Sequence, residues 1–264
     1  MLSRLTGASE ATLRTWERRH GLLQPQRLPG GHRRYRAADA ELVRHVLAER
    51  AVGVPMAVAA ARARERVDHP ATSIYATLRR RRPDLQPQTL TPATMLALSR
   101  AIEDESLSRA ERPVLFGSFQ RERFYRSSAS RWRELATGAA FAAVFADFAA
   151  AAEPGEGPAE VPVARDHPLS REWAVVCDAA GHDVCLFGWE RPGSRTGQRR
   201  FEAVWSVEPD VVREAARICA QVASAHIAIP GAVADRLRSP AAALTDEQLR
   251  LATAVTARAL SYLS

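Results

Sequence analysis

Residues Thr12–Tyr35 read TLRTWERRHGLLQPQRLPGGHRRY, and three signals are packed into that stretch. The first is a helical pattern. Ser9 stands where its hydroxyl can accept a free backbone N–H of the first turn. Leu13, Trp16 and His20 recur at spacings of three and four and share one face, with Leu13 and Trp16 as its core residues. Thr12, Arg14 and Thr15 point elsewhere, and Arg18 and Arg19 close the helix. The second signal is a short apolar–proline turn. The third is a glycine-pivoted loop, in which Pro29-Gly30-Gly31 permits a tight reversal and His32, Arg33, Arg34, Tyr35 and Arg36 follow it. An arginine-faced helix fits the DNA major groove, where guanidinium groups pair with guanine edges or hold phosphates. A loop that doubles back with a cationic tip reaches phosphates and the minor groove. One basic helix alone reads more simply as a solvated face. Helix and loop together point to a winged helix-turn-helix that grips DNA, with candidate contacts at Thr12, Arg14, Arg18, Arg19, His32, Arg33, Arg34, Tyr35 and Arg36.

With those residues in place, residues 2–66 resemble the DNA-binding domain of the MerR family of bacterial transcription regulators. LSRLTGASEATLRTWERRHGLL matches its helix-turn-helix, and PGGHRRYRAADAELVRHVLAERAVGVPMAVAAARA matches its wing and following helix pair. The resemblance implies that Arg14 and Arg18 lie on the recognition helix and His32, Arg33 and Tyr35 on the wing. Members usually carry several residues ahead of the equivalent of Leu2. The expectation is therefore a misassigned start codon, with the chain extending upstream of Met1, or a short first helix.

Charge along the chain separates two halves. All 37 basic residues are Arg, and there is no Lys. Residues 1–82 hold 17 Arg against 7 acids, whereas residues 83–264 hold 20 against 23. That asymmetry assigns an anionic partner to the front half, with DNA the better fit and a membrane surface the weaker one. No stretch is long and apolar enough to span a bilayer, and no charged-then-apolar signal peptide opens the chain. Three cysteines make no disulfide framework, so a reducing cytoplasm is expected.

The pattern predicts helices at 37–51 and 55–67, separated by Gly53-Val54-Pro55. The stretch 68–91 reads as a linker with one short helix near 71–82 ending in the run Arg79–Arg82. After residue 90 come a helix at 92–107, strands at Val114–Phe119 and Ala140–Phe148, and a helix at 127–137 between them. The Ala/Pro/Gly/Glu tract 149–162 reads as a mobile loop. Trp173–Cys177 and Val184–Trp189 form a hairpin around Ala180-Gly181, followed by a strand at Phe201–Val207 and helices at 209–225 and 245–263. The order predicts an α+β sensory-type domain with a central sheet of about five strands, behind the winged helix-turn-helix domain. The domains expected are 1–67, a linker 68–91, the sensory domain 92–225 and a C-terminal helical extension 226–264.

Residues 92–225 resemble a DICT domain, a sensory module of bacterial regulators with a suggested link to light responses. LALSRAIEDE, RPVLFGSFQRERFYR, WRELA, AVFADF, DHPLSREWAVVCD, GWERPG and RRFEAVWSVEPDVV carry the resemblance. The family supplies no ligand, and the cofactor is left unknown. From the residues themselves, Arg121, Arg123 and Tyr125 follow a strand end, where binding loops gather. With Asp166, His167 and Trp189 they form a candidate ligand site, whose rival is a charged surface of structural ion pairs. Glu103-Asp104-Glu105 is read as a solvated or Arg-paired patch, since adjacent helical positions do not face each other. Cys177 and Cys185 are equidistant from Gly181, which leaves open a redox pair, a metal site with His182, or two core thiols. The Trp…Glu-His and Asp-x-His-x-x-Gly motifs of cobalamin-binding relatives are absent. No P-loop, dinucleotide fingerprint, nucleophile elbow or HExxH occurs, so neither catalytic nor metal residues are assigned.

The function expected is a cytoplasmic, non-enzymatic regulator that binds double-stranded promoter DNA as a homodimer. RNA polymerase is a partner at the promoter, and a small-molecule or light-linked signal is sensed in the second half. The rival is a signalling adaptor that binds a protein through the DICT-like domain.

Overall fold

Leu13 and Trp16, three apart on one helix, turn inward and organise the first of two units in the computed structural model, which describes residues 2–23, 25–27, 33–35, 37–51, 53–60, 63, 73–191 and 198–264. The units are residues 1–70 and 71–264. The first contains α1 (Leu2–Thr6), α2 (Glu10–His20), the antiparallel strands β1 (Gln26–Arg27) and β2 (Arg33–Arg34), and α3 (Ala37–Ala51), with a further helical stretch over residues 56–60. Ser9 caps α2 as its spacing predicts, its Oγ accepting the Thr12 N–H at 3.1 Å. Gly21 ends the helix in the left-handed region at φ 55°, and its N–H bonds the Glu17 carbonyl. Leu2, Leu22, Leu23, Val43, Val46 and Ala59 close the core around Leu13 and Trp16. The expected helix at 55–67 runs partly outside the described residues.

The second unit is a seven-stranded mixed sheet covered on both faces by helices. Its elements are α4 (Ile74–Arg81), β3 (Gln88–Leu90), α5 (Pro92–Arg109), β4 (Val114–Ser118), α6 (Glu122–Arg126), α7 (Ala129–Gly138), β5 (Phe141–Ala146), β6 (Ala159–Pro162), β7 (Glu172–Asp178), β8 (Val184–Glu190), β9 (Phe201–Ser206), α8 (Pro209–Ala223), α9 (Gly231–Arg238) and α10 (Asp246–Ser261). The strand order is β3-β9-β8-β7-β4-β5-β6. Strands β4, β5 and β6 are parallel to one another, and the rest pair antiparallel.

The central strands are apolar at consecutive positions because both faces are buried. Along β5, Phe141, Ala143 and Phe145 join the core under α4, α8 and α9, while Ala142, Val144 and Ala146 join the core under α5, α7 and α10. Gly117 on β4 is required by packing: a Cβ there would lie 2.6 Å from the Trp132 ring of α7.

Several expectations are corrected here. Among the described residues the sheet has seven strands and not about five. The tract 149–162, read as a mobile loop, ends in β6, where Ala159 and Val161 point inward and Pro162 is tolerated because the strand lies on the sheet edge. Strand β3 at the opposite edge falls inside the expected linker, and so does α4, whose Ile74 and Leu78 are buried in the second unit's core. The C-terminal extension is also part of that unit. Val233 and Leu237 of α9 enter one core and Leu251, Val255 and Ala259 of α10 the other.

The hairpin register separates the two cysteines. Cys177 stands opposite Val184, and Cys185 opposite Val176. The loop that joins the strands is one residue asymmetric about Gly181, and a one-residue offset sends the side chains to opposite faces. Cys177 therefore sits in one core and Cys185 in the other.

Candidate functional site

On α2 the sides of the helix are divided. Leu13 and Trp16 are buried, while Arg14, Arg18 and Arg19 are exposed, with Arg14 and Arg18 one turn apart. Arg14 makes an exposed i,i+4 pair with Glu10 at 3.3 Å, and Arg18 and Arg19 have no carboxylate partner among the described residues. Thr12 belongs to the cap, its hydroxyl 2.8 Å from that of Ser9. Arg34 is exposed on β2. Its neighbour Arg33 turns back to α2, where its Nε donates to Glu17 Oε2 at 2.9 Å. Tyr35 is half-buried and packs against the unit's core. Its hydroxyl pKa is raised, chiefly by burial and then by the Glu17 carboxylate. Of the nine expected DNA contacts, Arg14, Arg18, Arg19 and Arg34 are presented outward; Thr12, Arg33 and Tyr35 are held by the fold; His32 and Arg36 lie outside the described residues.

In the second unit the expected ligand residues do not form one site. Tyr125 is buried, its ring edge-on to Phe119 and Phe148. His167 is a local cap: its Nδ1 accepts the Leu169 N–H at 3.2 Å at the start of the short 3₁₀ turn Pro168–Arg171. Trp189 lies under the Arg171 guanidinium at 5.0 Å, and Asp166 is exposed. Arg121 and Arg123 alone of the six line a depression of about 660 Å³, together with Glu122, Arg126, Asp147 and Arg165. Sequence reading missed the last two because Asp147 and Arg165 are remote from residue 121 along the chain. The signal that finds them is topological: all three segments follow parallel strands.

The acidic run at residues 103–105 is Arg-paired. Glu103 is buried, accepts the Trp132 indole N–H at 3.1 Å and pairs with Arg131 at 3.2 Å. Burial pushes its carboxyl up to about 7, against the pull of Arg131 and the indole. Glu105 takes Arg258 of α10 at 2.8 Å, and Asp104 takes Arg131 and the Tyr262 hydroxyl. The run is thus the dock for α7 and α10. On the opposite face, Glu172 is buried beneath the first turn of α4, and burial raises its carboxyl to about 7. Asp178, fully buried, is paired with Arg213 of α8 and Arg236 of α9.

His182 is buried, 3.5 Å from the Ser106 hydroxyl, and burial lowers its pKa to about 4. Among the described residues no group of three or more His, Cys, Asp or Glu side chains is placed to hold a metal ion, and all three cysteines are free and buried. No helix among them is long and apolar enough to cross a membrane.

Comparison with known proteins gives two family matches. Residues 72–191 match the DICT model, described as a sensory domain in diguanylate cyclases and two-component systems, and residues 1–35 match the model of the MerR family regulatory protein. The HTH-type transcriptional regulators MlrA of Escherichia coli (strain K12) and of Salmonella typhimurium (strain LT2) are each 48% identical to this chain over 42 residues, which is 16% of it. The aligned stretch spans 17% of the length of those relatives. No solved structure matches the chain.

Proposed function

We propose that this protein is a DNA-binding transcription regulator whose grip on promoter DNA is set by a signal sensed in its DICT-like half. The observation that carries the reading is the division of α2, with Leu13 and Trp16 inside and Arg14 and Arg18 on an exposed turn-spaced face. Such a face presents two guanidinium forks to base edges and phosphates. The Glu17–Arg33 pair supports it further, since it ties to α2 the strand β2 that carries the exposed Arg34. The MerR-family match over residues 1–35 and the likeness to HTH-type regulators agree with this assignment.

In this reading a homodimer contacts two half-sites of double-stranded DNA in the cytoplasm, with RNA polymerase at the same promoter, and no chemistry is catalysed. The outer side of α10 is the dimer seam, since Leu249 and Leu260 stay exposed along it and Leu263 just past its end. The same exposed residues favour a second reading, in which the DICT-like half is an adaptor that docks a protein partner. A mobility shift on the upstream DNA, across a salt series, separates the two. Binding that weakens with salt, and weakens further in Arg14→Ala and Arg18→Ala, supports the regulator. An affinity and salt slope that both variants leave unchanged sinks it.

A further inference from the structure

The parallel strands β4, β5 and β6 end side by side, Ser118 beside Phe145 and Ala146 beside Pro162. Just past each end comes a charged residue: Arg121 after β4, Asp147 after β5 and Arg165 after β6. These three, with Glu122, Arg123 and Arg126, line the depression of about 660 Å³. Crevices at the carboxyl ends of parallel strands are where open α/β sheets take their ligands, because the loops there carry side chains into one place without disturbing the core.

We propose that this depression binds a small metabolite through a single oxyanion, a carboxylate or a phosphate, which is the signal of the sensory half. The proposal rests on the sensory reading above and names its ligand chemistry.

Three observations carry it. The first is charge. Four arginines face two acids on the lining, and Glu160 behind them takes Arg126 at 2.5 Å. With Arg126 held between Glu122 and Glu160, and Arg121 and Arg165 sharing Asp147, Arg123 has no carboxylate partner among the described residues, only the Phe124 ring at 4.9 Å. One positive charge is left over, which suits one oxyanion.

The second is an unmet donor. Arg121 Nη1 is shielded from solvent and has no hydrogen-bond acceptor; its nearest carboxylate oxygen, on Asp147, is 3.7 Å away. Asp147 is already committed, accepting the Glu122 N–H at 2.6 Å and Arg165 Nε at 3.2 Å. A shielded donor without an acceptor is unfavourable, and because the Arg121 side chain as a whole is 37% exposed it can turn that donor to an oxyanion in the depression.

The third is backbone. Gln120, just ahead of Arg121, is a buried non-glycine residue at φ 62°. Its amide is locked by Glu190 and Arg199, donating to Glu190 at 3.0 Å and accepting from Arg199 at 2.5 Å. Left-handed conformations of this kind persist where surrounding contacts fix them, and they gather at binding sites. Here the conformation fixes where Arg121 leaves the strand.

The test uses the full chain and two probes, inorganic phosphate and citrate, each titrated by calorimetry and by thermal melting at ionic strength held with chloride. The expected result is a saturable rise in melting temperature with one or both probes. Phosphate alone assigns a phosphorylated ligand, and citrate alone a carboxylate. Arg121→Gln should weaken binding at least tenfold. Arg165→Gln, an 82% exposed side chain, repeats the test where folding is not at risk and should weaken it several-fold. Arg14→Ala in the first unit should leave it unchanged. Absence of a saturable response to either anion, or an equal response in wild type and both lining variants, overturns the site. DNA binding is read separately by mobility shift. Anion binding that leaves DNA affinity unchanged keeps the site and removes its signalling role, and lost anion binding with DNA binding intact removes the site alone.

Discussion

Glu172 Oε2, on β7, accepts the backbone N–H of Tyr75 at 3.0 Å, and its Oε1 accepts the Ser73 hydroxyl at 2.5 Å. The oxygens of a buried carboxyl group thereby satisfy the first turn of α4, which is the first helix of the second unit. Because burial raises this carboxyl to about 7 from 4.5, the folded state holds a proton that the unfolded state has released. The stabilisation from that proton is complete below pH 4.5 and is lost as pH rises through 7. Glu172→Gln imitates the protonated form. Urea denaturation at pH 5 and pH 8 should show the wild type losing, from this site, on the order of 3 kcal/mol more than the variant over that interval. Parallel losses in the two proteins refute the shift at Glu172. The comparison is made as a difference because His182, lowered to about 4 by burial, changes stability in the opposite sense below pH 6.5.

Arg33 has a structural partner and Arg18 has none among the described residues, so the two should behave differently toward DNA. Arg18→Ala should lower the slope of log affinity against log salt by about one. Arg33→Ala should lower affinity and also release the Glu17 carboxylate on α2, so that Glu17→Gln in the same chain recovers part of the loss. Without that recovery, Arg33 touches DNA directly and the brace has no role in binding.

Gly117 has no room for a methyl group against Trp132. Gly117→Ala should destabilise the second unit by about 1–3 kcal/mol through overpacking. In a Trp132→Phe background the added cost should shrink, since the smaller ring vacates the contact. Thermal melting of the four proteins closes the cycle, and an undiminished cost in that background points to backbone strain instead.

The cysteines should be inert. Cys177 is buried with its thiol pushed up to about 12 by burial, and Cys185 and Cys219 are shifted in the same direction for the same reason. Native protein at pH 8 should release no colour from Ellman's reagent, and all three thiols should react in denaturant. Rapid native reaction of any of them contradicts the burial.

Leu249 and Leu260 lie on the outer side of α10. If α10 is the dimer seam, Leu249→Arg with Leu260→Arg should convert a dimer to a monomer by light scattering, with the melting temperature little changed because neither residue is in the core. A dimer that survives both changes places the seam elsewhere.

Local pattern sufficed for the described helices of the first unit and for the class of the second. Helix spacing placed Leu13 and Trp16 inside and left Arg14 and Arg18 outside, and the caps Ser9 and Gly21 follow from local chemistry. The strands at Val114–Ser118, Phe141–Ala146 and Phe201–Ser206 were legible because they are short, largely apolar runs bounded by polar turns, whose length and Val and aromatic content favour strand over helix. Long-range pairing set what no local pattern encodes. Strands β3 and β6 are three and four residues long and become strands only because a neighbour's edge is open to them. The hairpin register, a matter of one residue, put Cys177 and Cys185 on opposite faces. Arg33 was legible as cationic, but its bond to Glu17 depends on how β2 returns to α2. Arg121, Asp147 and Arg165 are brought together by parallel strand pairing, because parallel neighbours end at the same edge however far apart they lie in the chain.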